Sequence, residues 1–412
     1  MEKKLWTKNF TLIIVATTLG CVGNIAGSFA LSFLVYEETA STLASALIVA
    51  IRIIPGFLIP LFISPIMDRL PRKPFLVGGD AAAAFLYILG GLWLKTHEFG
   101  YIPFLLFSLL LSSIASFDEL SYDALYPKLI TPGLEEKGYS VSTMLYPMIN
   151  VIMMPLSAVL YKTVGTANIL LAQSGLSLLA ALTESRIRIK EEIREGTRFS
   201  LRQWFFDVRE AGAYLKKEKG LLSMTLYSGT TNGMSGGYES IMVAFFSSMP
   251  GFTVTMYSFF TVAECIGRTI GGLLMYKKQP PREKKYGIAL FVYLFYESMD
   301  ACLLWLSYPL MLINRTVCGF LGIQSGTMRY AAVQKYIPDE MRARINAFNS
   351  IVYLIFSAVL SVAVGALGDL MDLRLVMTLG AAVTFIVCML TIVRRKKEVE
   401  KVYLSEVPEE QA

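Results

Sequence analysis

Several ionisable residues stand inside long apolar stretches of this sequence, where a charged side chain is costly. They are Arg52, Asp118, Glu119, Glu239, Glu264 and Arg329. Each costs about 2.5–3.5 kcal/mol on membrane-insertion scales, so each is a candidate for binding a substrate or an ion. The neighbouring acids Asp118 and Glu119 could bind a cation or exchange a proton, because burial and like charge favour a protonated carboxyl group. Alternatively, either acid could belong to a gating network with Arg329.

For other charged residues, the alternative to a binding role is an ion pair with another side chain. Arg52 and Glu264 stand at corresponding positions of the two halves of the chain, and they could form an ion pair across a central cavity. Arg268 follows Glu264 by four residues, however, and such a pair would satisfy the charge within one helix. Glu297 and Asp300 share a single apolar stretch and require partners that the sequence does not reveal.

Glycine-rich runs and amides extend the candidate binding region. The run 229–237 precedes Glu239, and the run 20–27 occupies the comparable place in the first half. Paired interruptions of equivalent helices point to a binding site at the membrane midplane. Close helix packing explains the same glycines without a ligand. Three amides that could contact substrate or bond a neighbouring helix are Asn24, Asn150 and Gln324.

About twelve apolar stretches position these residues, and each is long enough to cross a bilayer. The predicted spans are 10–35, 42–66, 75–95, 101–126, 139–163, 165–186, 221–248, 252–276, 286–307, 309–334, 345–368 and 373–393. Lysines and arginines fall mostly on alternate loops, which predicts that both termini are cytoplasmic. Because 54% of the residues are hydrophobic and 17% are charged, the net charge of +6 indicates membrane topology rather than nucleic-acid binding.

A basic segment divides the chain into two halves of six predicted spans. The predicted parts are a six-helix bundle (1–189), a cytoplasmic amphipathic linker (190–220), a second six-helix bundle (221–395) and a cytoplasmic tail (396–412). The segment 130–140 resembles the segment 336–346 at an offset of 206 residues, which is also half the chain length. This repetition predicts a duplicated six-helix unit.

The loop after the second predicted span carries a family signature. Residues 64–73 are similar to the Gly-x-x-x-Asp-Arg-x-Gly-Arg-Lys loop of the major facilitator superfamily, although Ser64 and Pro71 replace its two glycines. With the six-plus-six layout, the chain is identified as a member of that superfamily. The resemblance implies an all-α membrane protein of two pseudo-symmetric six-helix bundles. Asp80 and the segment 337–344 resemble the macrolide-efflux and siderophore-exporter branch.

The same loop predicts a cytoplasmic gate. The expected gate residues are Asp68, Arg69, Arg72, Lys73, Asp123 and Arg344. Asp68 can accept hydrogen bonds from the free amides that begin the eleventh span near Arg344, where the helix dipole favours an anion. Arg69 and Arg72 can reach the carboxylate of Asp123. Alternatively, the loop is basic only because of the positive-inside rule, which explains Arg72 but not Asp68.

Other kinds of chemistry lack the residues they need. His97 is the only histidine, so no histidine-based metal site or catalytic dyad can be built. No Gly-x-x-x-x-Gly-Lys-Ser/Thr motif occurs, which excludes a P-loop ATPase within this chain. We therefore expect no enzyme activity, no cofactor and no metal, and we expect an ion gradient to supply the energy.

These observations predict a secondary active transporter that works by alternating access. We expect it to export an amphipathic small molecule in exchange for protons, as a monomer in the plasma membrane, which would be the inner membrane of a bacterium. Its partners would then be the substrate, protons and membrane lipid, with no nucleic acid. The alternatives are an ion-coupled uptake permease for a polar solute, and an uncoupled lysophospholipid mover or membrane sensor.

Overall fold

A computed structural model describes residues 4–67, 71–132, 134–189, 201–277 and 280–404. Throughout these ranges the ordered elements are helices, without a strand, which confirms the all-α class. The α-helices are α1 (Lys8–Thr39), α2 (Thr42–Met67), α3 (Arg72–Thr96), α4 (Tyr101–Leu129), α5 (Glu135–Val164), α6 (Thr166–Ser185), α7 (Leu201–Lys217), α8 (Lys219–Ser248), α9 (Val254–Lys277), α10 (Arg282–Cys302), α11 (Tyr308–Tyr336), α12 (Asp339–Leu370), α13 (Leu373–Cys388) and α14 (Lys396–Leu404). A 3-10 turn, Leu303–Trp305, continues α10, and a π turn, Met389–Val393, continues α13.

The predicted spans correspond to α1–α6 and α8–α13. Within the described ranges, nine of these twelve helices are long and apolar enough to cross a membrane. The other three, α8, α9 and α11, are richer in glycine, hydroxyl and charged residues, which lowers their hydropathy. The chain is therefore a multi-pass membrane protein, whereas the count of twelve crossings stays a prediction.

The chain forms two compact units. Unit 1 comprises the described residues of 1–40, 51–199 and 253–258, and unit 2 comprises those of 41–50, 200–252 and 259–404. The start of α2 thus groups with unit 2, and the start of α9 groups with unit 1.

Unit 1 is organised around close packing of α3 on α6. A Cβ atom built on Gly91 would lie 2.9 Å from the backbone oxygen of Ala167 and 2.8 Å from the Leu171 side chain. A Cβ atom on Gly90 would similarly meet the Phe107 ring of α4 at 2.8 Å. Small residues let helices approach in this way, because they remove the side-chain atoms that would hold the backbones apart. This packing brings polar residues of α3, α4 and α6 together.

Unit 2 uses glycines in the same way between α8 and α12. A Cβ atom on Gly233 would lie 2.5 Å from the backbone oxygen of Phe356, and one on Gly237 would lie 2.5 Å from the Val364 side chain. The glycine-rich run 229–237 is therefore used for helix packing, one of the two interpretations that its sequence allows.

Two shorter helices pack on unit 2. Helix α7, in the predicted linker, buries Ala211 and Leu215 in the same hydrophobic cluster that contains Val399 and Val402 of α14. Within the predicted tail, residues 396–404 form α14, and the hydroxyl groups of Tyr403 and Tyr293 lie 2.9 Å apart.

Candidate functional site

The predicted gate falls only partly within the described residues. Asp68 and Arg69 lie outside them. Arg72 is the first residue of α3 and is buried, and Lys73 donates from Nζ to the backbone oxygen of Ser185, at 2.7 Å, at the end of α6. Asp123 is exposed, and among the described side chains it forms no ion pair with Arg72.

Arg344 has partners that the sequence did not suggest. Its Nε lies 3.0 Å from Oδ1 of Asp207, and its Nη1 lies 2.7 Å from Oε2 of Glu210. Both acids stand on α7, one turn apart, so the start of α12 is tied to the linker helix. The expected contact of Asp68 with the start of this helix lies outside the described residues, and within them two acids of α7 hold the Arg344 side chain.

The buried acids of unit 2 have partners. Asp300 forms an ion pair with Arg315 of α11, and both side chains are less than a tenth exposed. The Arg315 guanidinium also donates from Nε to the amide oxygen of Asn314, at 3.3 Å, and it stands 5.6 Å from the centre of the Phe260 ring. A buried ion pair needs such additional bonds, because desolvation of two charges offsets most of their attraction. Asp300 is therefore held as a structural anion.

Glu297 is satisfied in a similar way. It accepts hydrogen bonds from the hydroxyl group of Thr384, on α13, and from that of Tyr227, on α8, the latter at 3.4 Å. Together with the Asp300 pair, these bonds supply the partners that the sequence of this span required but did not reveal.

Other predicted charges are distributed over both units. Arg268 Nη2 lies 2.7 Å from Glu264 Oε1, so the pair within one helix forms. Arg52 is exposed on α2 and lies 3.5 Å from the hydroxyl oxygen of Ser28. The Arg329 guanidinium stands 5.8 Å from the centre of the Tyr293 ring, an aromatic contact rather than an ion pair.

The remaining predicted residues do not gather around one point. Asn24 accepts from Ser28 within α1 at 3.0 Å, and Asn150 is buried on α5. Glu119 and Glu239 are exposed on α4 and α8. Gln324 is half-buried on α11, and its Nε2 has no hydrogen-bond partner among the described residues.

Three acidic side chains of unit 1 stand on α3 and on two helices that pack against it, and we call them the acid cluster: Asp80 of α3, Asp118 of α4 and Glu184 of α6. Glu184 lies within electrostatic range of both aspartates, and Asp118 lies within range of Asp80. Asp118 reaches the α3 backbone, since its Oδ1 would lie 3.3 Å from a Cβ atom on Gly79.

The acid cluster lacks the partners that the unit 2 acids have. Glu184 is only 4% exposed, yet its Oε2 makes no hydrogen bond to a described residue, and neither does Oδ1 of Asp118. The ion pairs of the described chain include none to Asp80, Asp118 or Glu184. Each unpaired charge would cost several kcal/mol in a dry helix bundle, so the arrangement favours neutral carboxyl groups or a bound cation.

Two further polar side chains, Tyr87 and Gln173, stand on α3 and α6. Tyr87, seven residues after Asp80, lies close to Gln173 and within electrostatic range of Asp80 and Arg52. Gln173 is buried eleven residues before Glu184, which is three helical turns along the same face. Tyr87 and Gln173 therefore stand two and three helical turns from the cluster acids of their own helices.

Sequence reasoning found Asp118 but not the two acids that accompany it. Asp80 entered only through a family resemblance, and Glu184 stands two residues from the end of a predicted span, where an acid needs no special explanation. The eleven-residue spacing of Gln173 and Glu184 is the one signal that places both on a single helix face.

A second feature that the sequence did not predict caps the start of α2. Asp369 of α12 accepts from the backbone N of Thr42 at 2.6 Å, from its hydroxyl group at 2.8 Å, and from the hydroxyl group of Ser41 at 2.5 Å. The preceding residue, Ala40, has a left-handed backbone with φ of 49°. A carboxylate at a helix N-terminus satisfies free amides and complements the helix dipole, so Asp369 fixes this turn.

Comparison with known proteins gives a family and a fold. Residues 11–299 match the family model described as Major Facilitator Superfamily. A comparison with curated proteins finds no match to the sequence. Similar solved structures include the nucleoside transporter NupG, with a TM-score of 0.72 and 11% identity over 94% of this chain and 99% of that one. They also include the POT family transporter PepTSo, with a TM-score of 0.70 and 11% identity over 95% and 98% of the two chains.

A third similar structure is a bacterial homolog of the human lysosomal transporter Spinster, in its inward-facing and unoccupied conformation. Its TM-score is 0.64, with 13% identity over 96% of each chain. Identities this low establish a shared fold and leave the transported compound open.

Proposed function

The chain belongs to the Major Facilitator Superfamily, and on this premise we propose that it is a secondary active transporter that exports an amphipathic small molecule by alternating access, driven by an ion gradient. Membrane transport follows from the family. Export, ion coupling and the class of substrate are the proposed part. Within the proposal the protein moves its substrate and performs no reaction on it.

The observation that supports ion coupling is that buried oxygens of the acid cluster lack hydrogen-bond partners among the described residues. A carboxyl group that only stabilises a fold is expected to have a partner, as Asp300 has in Arg315. Asp118 and Glu184 instead keep a buried oxygen without a hydrogen bond to a described residue. Intramembrane acids of this kind commonly belong to proton or ion pathways. The sequence also lacks a P-loop motif that would favour ATP as the energy source.

The proposed topology has twelve crossings and cytoplasmic termini, in the plasma membrane. The basic loops support it through the positive-inside rule. Helix α7 supports it as well, because Phe205 and Phe206 are exposed beside Asp207 and Arg209, a pattern that suits a helix lying on the inner membrane surface. The proposed protein is a monomer whose partners are substrate, protons and lipid.

Export of an amphipathic compound is supported by the sequence resemblance to the macrolide-efflux and siderophore-exporter branch. Among the polar and charged residues of the sequence analysis, the exposed Arg52 of unit 1 is the proposed substrate contact, and Asp118 is assigned to ion coupling. The runner-up is an ion-coupled uptake permease for a polar solute. It is favoured by the fold similarity to a nucleoside transporter and to a POT family transporter.

The experiment is flux of the amphipathic cation ethidium in proteoliposomes of known protein orientation. With a pH gradient imposed, we expect ethidium to accumulate on the extracytoplasmic side when that side is acidic, and a protonophore to abolish the accumulation. Nucleosides and short peptides tested in parallel address the uptake alternative. Accumulation of these polar solutes towards the cytoplasmic side would favour the permease, and passive, gradient-independent flux of every probe would contradict ion coupling.

A further inference from the structure

We propose that the acid cluster, Asp80, Asp118 and Glu184, binds the proton that the transporter exchanges, which places ion coupling within unit 1. The inference rests on the ion-coupled function proposed above and names both the ion and its site. It assigns the role to residues of α3, α4 and α6 rather than to the exposed Glu119.

The first step is charge. Three carboxyl groups from three helices lie within electrostatic range of one another, and the described ion pairs give none of them a cation. Complete ionisation would place three negative charges on packed helices in surroundings of low dielectric, where repulsion and desolvation both oppose it. A bound proton removes one charge and adds one hydrogen-bond donor. The donor can bridge two carboxyl groups, as in other carboxyl pairs that share a proton.

The second step is burial of a free acceptor. Glu184 is 96% buried, as its 4% exposure shows, and its Oε2 has no hydrogen-bond donor in the described chain. An orphaned acceptor in such a place costs about 1–3 kcal/mol. Protonation of a neighbouring acid supplies the missing donor. The same proton would serve Oδ1 of Asp118, which is orphaned in the same way.

None of the described cations on the surrounding helices forms an ion pair with the cluster. Arg72 and Lys73 stand at the start of α3, and Lys73 is already bonded to the backbone of Ser185. Besides the cluster itself, the described titratable or charged groups on the elements around it are Lys8, Cys21, Tyr36, Glu37 and Glu38 of α1, Arg52 of α2, Arg72, Lys73, Tyr87 and Lys95 of α3, Tyr101, Glu119, Tyr122, Asp123, Tyr126 and Lys128 of α4, Lys137, Tyr139, Tyr146, Tyr161 and Lys162 of α5, and Arg186 and Arg188 after α6. Glu119 acts electrostatically on Asp118, which adds to the negative charge.

A proton fits this site better than a metal ion does. No group of three histidine, cysteine, aspartate or glutamate side chains within the described ranges has an arrangement suited to a metal. A metal ion requires several ligands directed at one point, whereas a proton requires one free lone pair.

The first test needs no substrate. Infrared difference spectra between acidic and alkaline pH are recorded for the full-length protein in lipid nanodiscs. The variants are Asp80→Asn, Asp118→Asn and Glu184→Gln, with Glu98→Gln, an exposed acid after α3, as the matched control. The wild type and the control are expected to show the carbonyl band of a protonated carboxyl group, and at least one cluster variant is expected to lose it. A band that persists unchanged in all three cluster variants overturns the proposal.

The second test uses ethidium in proteoliposomes. One pH unit drives about tenfold accumulation in a one-for-one exchange, since a tenfold ratio corresponds to about 1.4 kcal/mol. The Asp118→Asn/Glu184→Gln double variant is expected to lose this accumulation, and thermal unfolding in detergent with a transition like that of the wild type shows that it is folded. If the wild type accumulates nothing, the proposed function fails. If the double variant accumulates as the wild type does, or if sodium rather than protons drives the wild type, the site assignment fails.

Discussion

The buried acids of the two units differ in how they are satisfied. In unit 2, Asp300 is paired with Arg315, and Glu297 accepts from two hydroxyl groups. In unit 1, Asp118 and Glu184 have buried oxygens without such partners in the described chain. A paired carboxylate is fixed in its charge, because losing the charge would strand the partner. A carboxyl group without a partner can gain or lose a proton at lower cost, so the two units suit different tasks.

The largest expected effect comes from breaking the ion pair of unit 2. Arg315→Met leaves Asp300 buried without a cation, which is expected to destabilise the protein by about 3–5 kcal/mol. Thermal unfolding of the purified protein in detergent measures the loss. The double variant Arg315→Met/Asp300→Leu removes both charges and is expected to recover most of the stability. A single variant as stable as the wild type would show that this pair does not hold α10 to α11.

A smaller effect is expected when Glu297 loses one donor. Thr384→Val keeps the shape of the side chain but removes its hydroxyl group, leaving Glu297 with Tyr227. The expected loss is about 1–3 kcal/mol, the usual cost of a buried polar group left with too few partners. The same thermal unfolding assay measures it. Thr327→Val, at an exposed threonine of α11, is the control. An equal loss of stability in that variant would show that the effect of Thr384→Val does not depend on Glu297.

An effect of about 1 kcal/mol is expected from the cap of α2, since loss of a helix cap typically costs this much. Asp369→Ala removes the acceptor for Thr42 and Ser41, whose positions at a helix end let water replace part of the interaction. Hydrogen exchange followed by mass spectrometry is expected to show faster exchange in the first turn of α2. Unchanged exchange there would mean that the contact is not maintained in solution.

The smallest stability effect is expected in the acid cluster. Asp118→Asn and Glu184→Gln remove a potential charge that has no counter-ion, so each is expected to change unfolding stability by less than about 1 kcal/mol or to raise it. Measured beside Arg315→Met, these variants sharpen the contrast between the units. Losses as large as that of Arg315→Met would mean that the cluster acids have structural partners after all.

Much of the helix layout could be predicted from the sequence, because hydropathy indicates which residues of a helix lie in the membrane. The predicted span 221–248 nearly coincides with Lys219–Ser248, whereas Lys8–Thr39 extends beyond the predicted 10–35. That extension contains Glu37, whose carboxylate accepts from the hydroxyl group of Tyr161 at 2.5 Å. A helix continues past its apolar part when its polar residues find partners, and hydropathy does not register those partners.

The candidate site was less accessible to sequence reasoning. Asp118 stood out because it is an acid within an apolar span, but its neighbours depend on how α3, α4 and α6 are rotated about their axes. Asp80 and Glu184 are 104 residues apart, and no local pattern specifies their approach. Glu264 and Arg268 were predictable for the opposite reason, since one helical turn joins them.

The central claim is that the acid cluster carries an exchangeable proton, and the most direct measurement is proton release after an alkaline pH jump. A pH-indicator dye reports the protons released by the wild type and by the Asp80→Asn/Asp118→Asn/Glu184→Gln variant, both full length and in nanodiscs. Linkage predicts that the wild type releases about one proton more per molecule than the variant. Equal release by the two proteins, with both shown to be folded, would contradict the account.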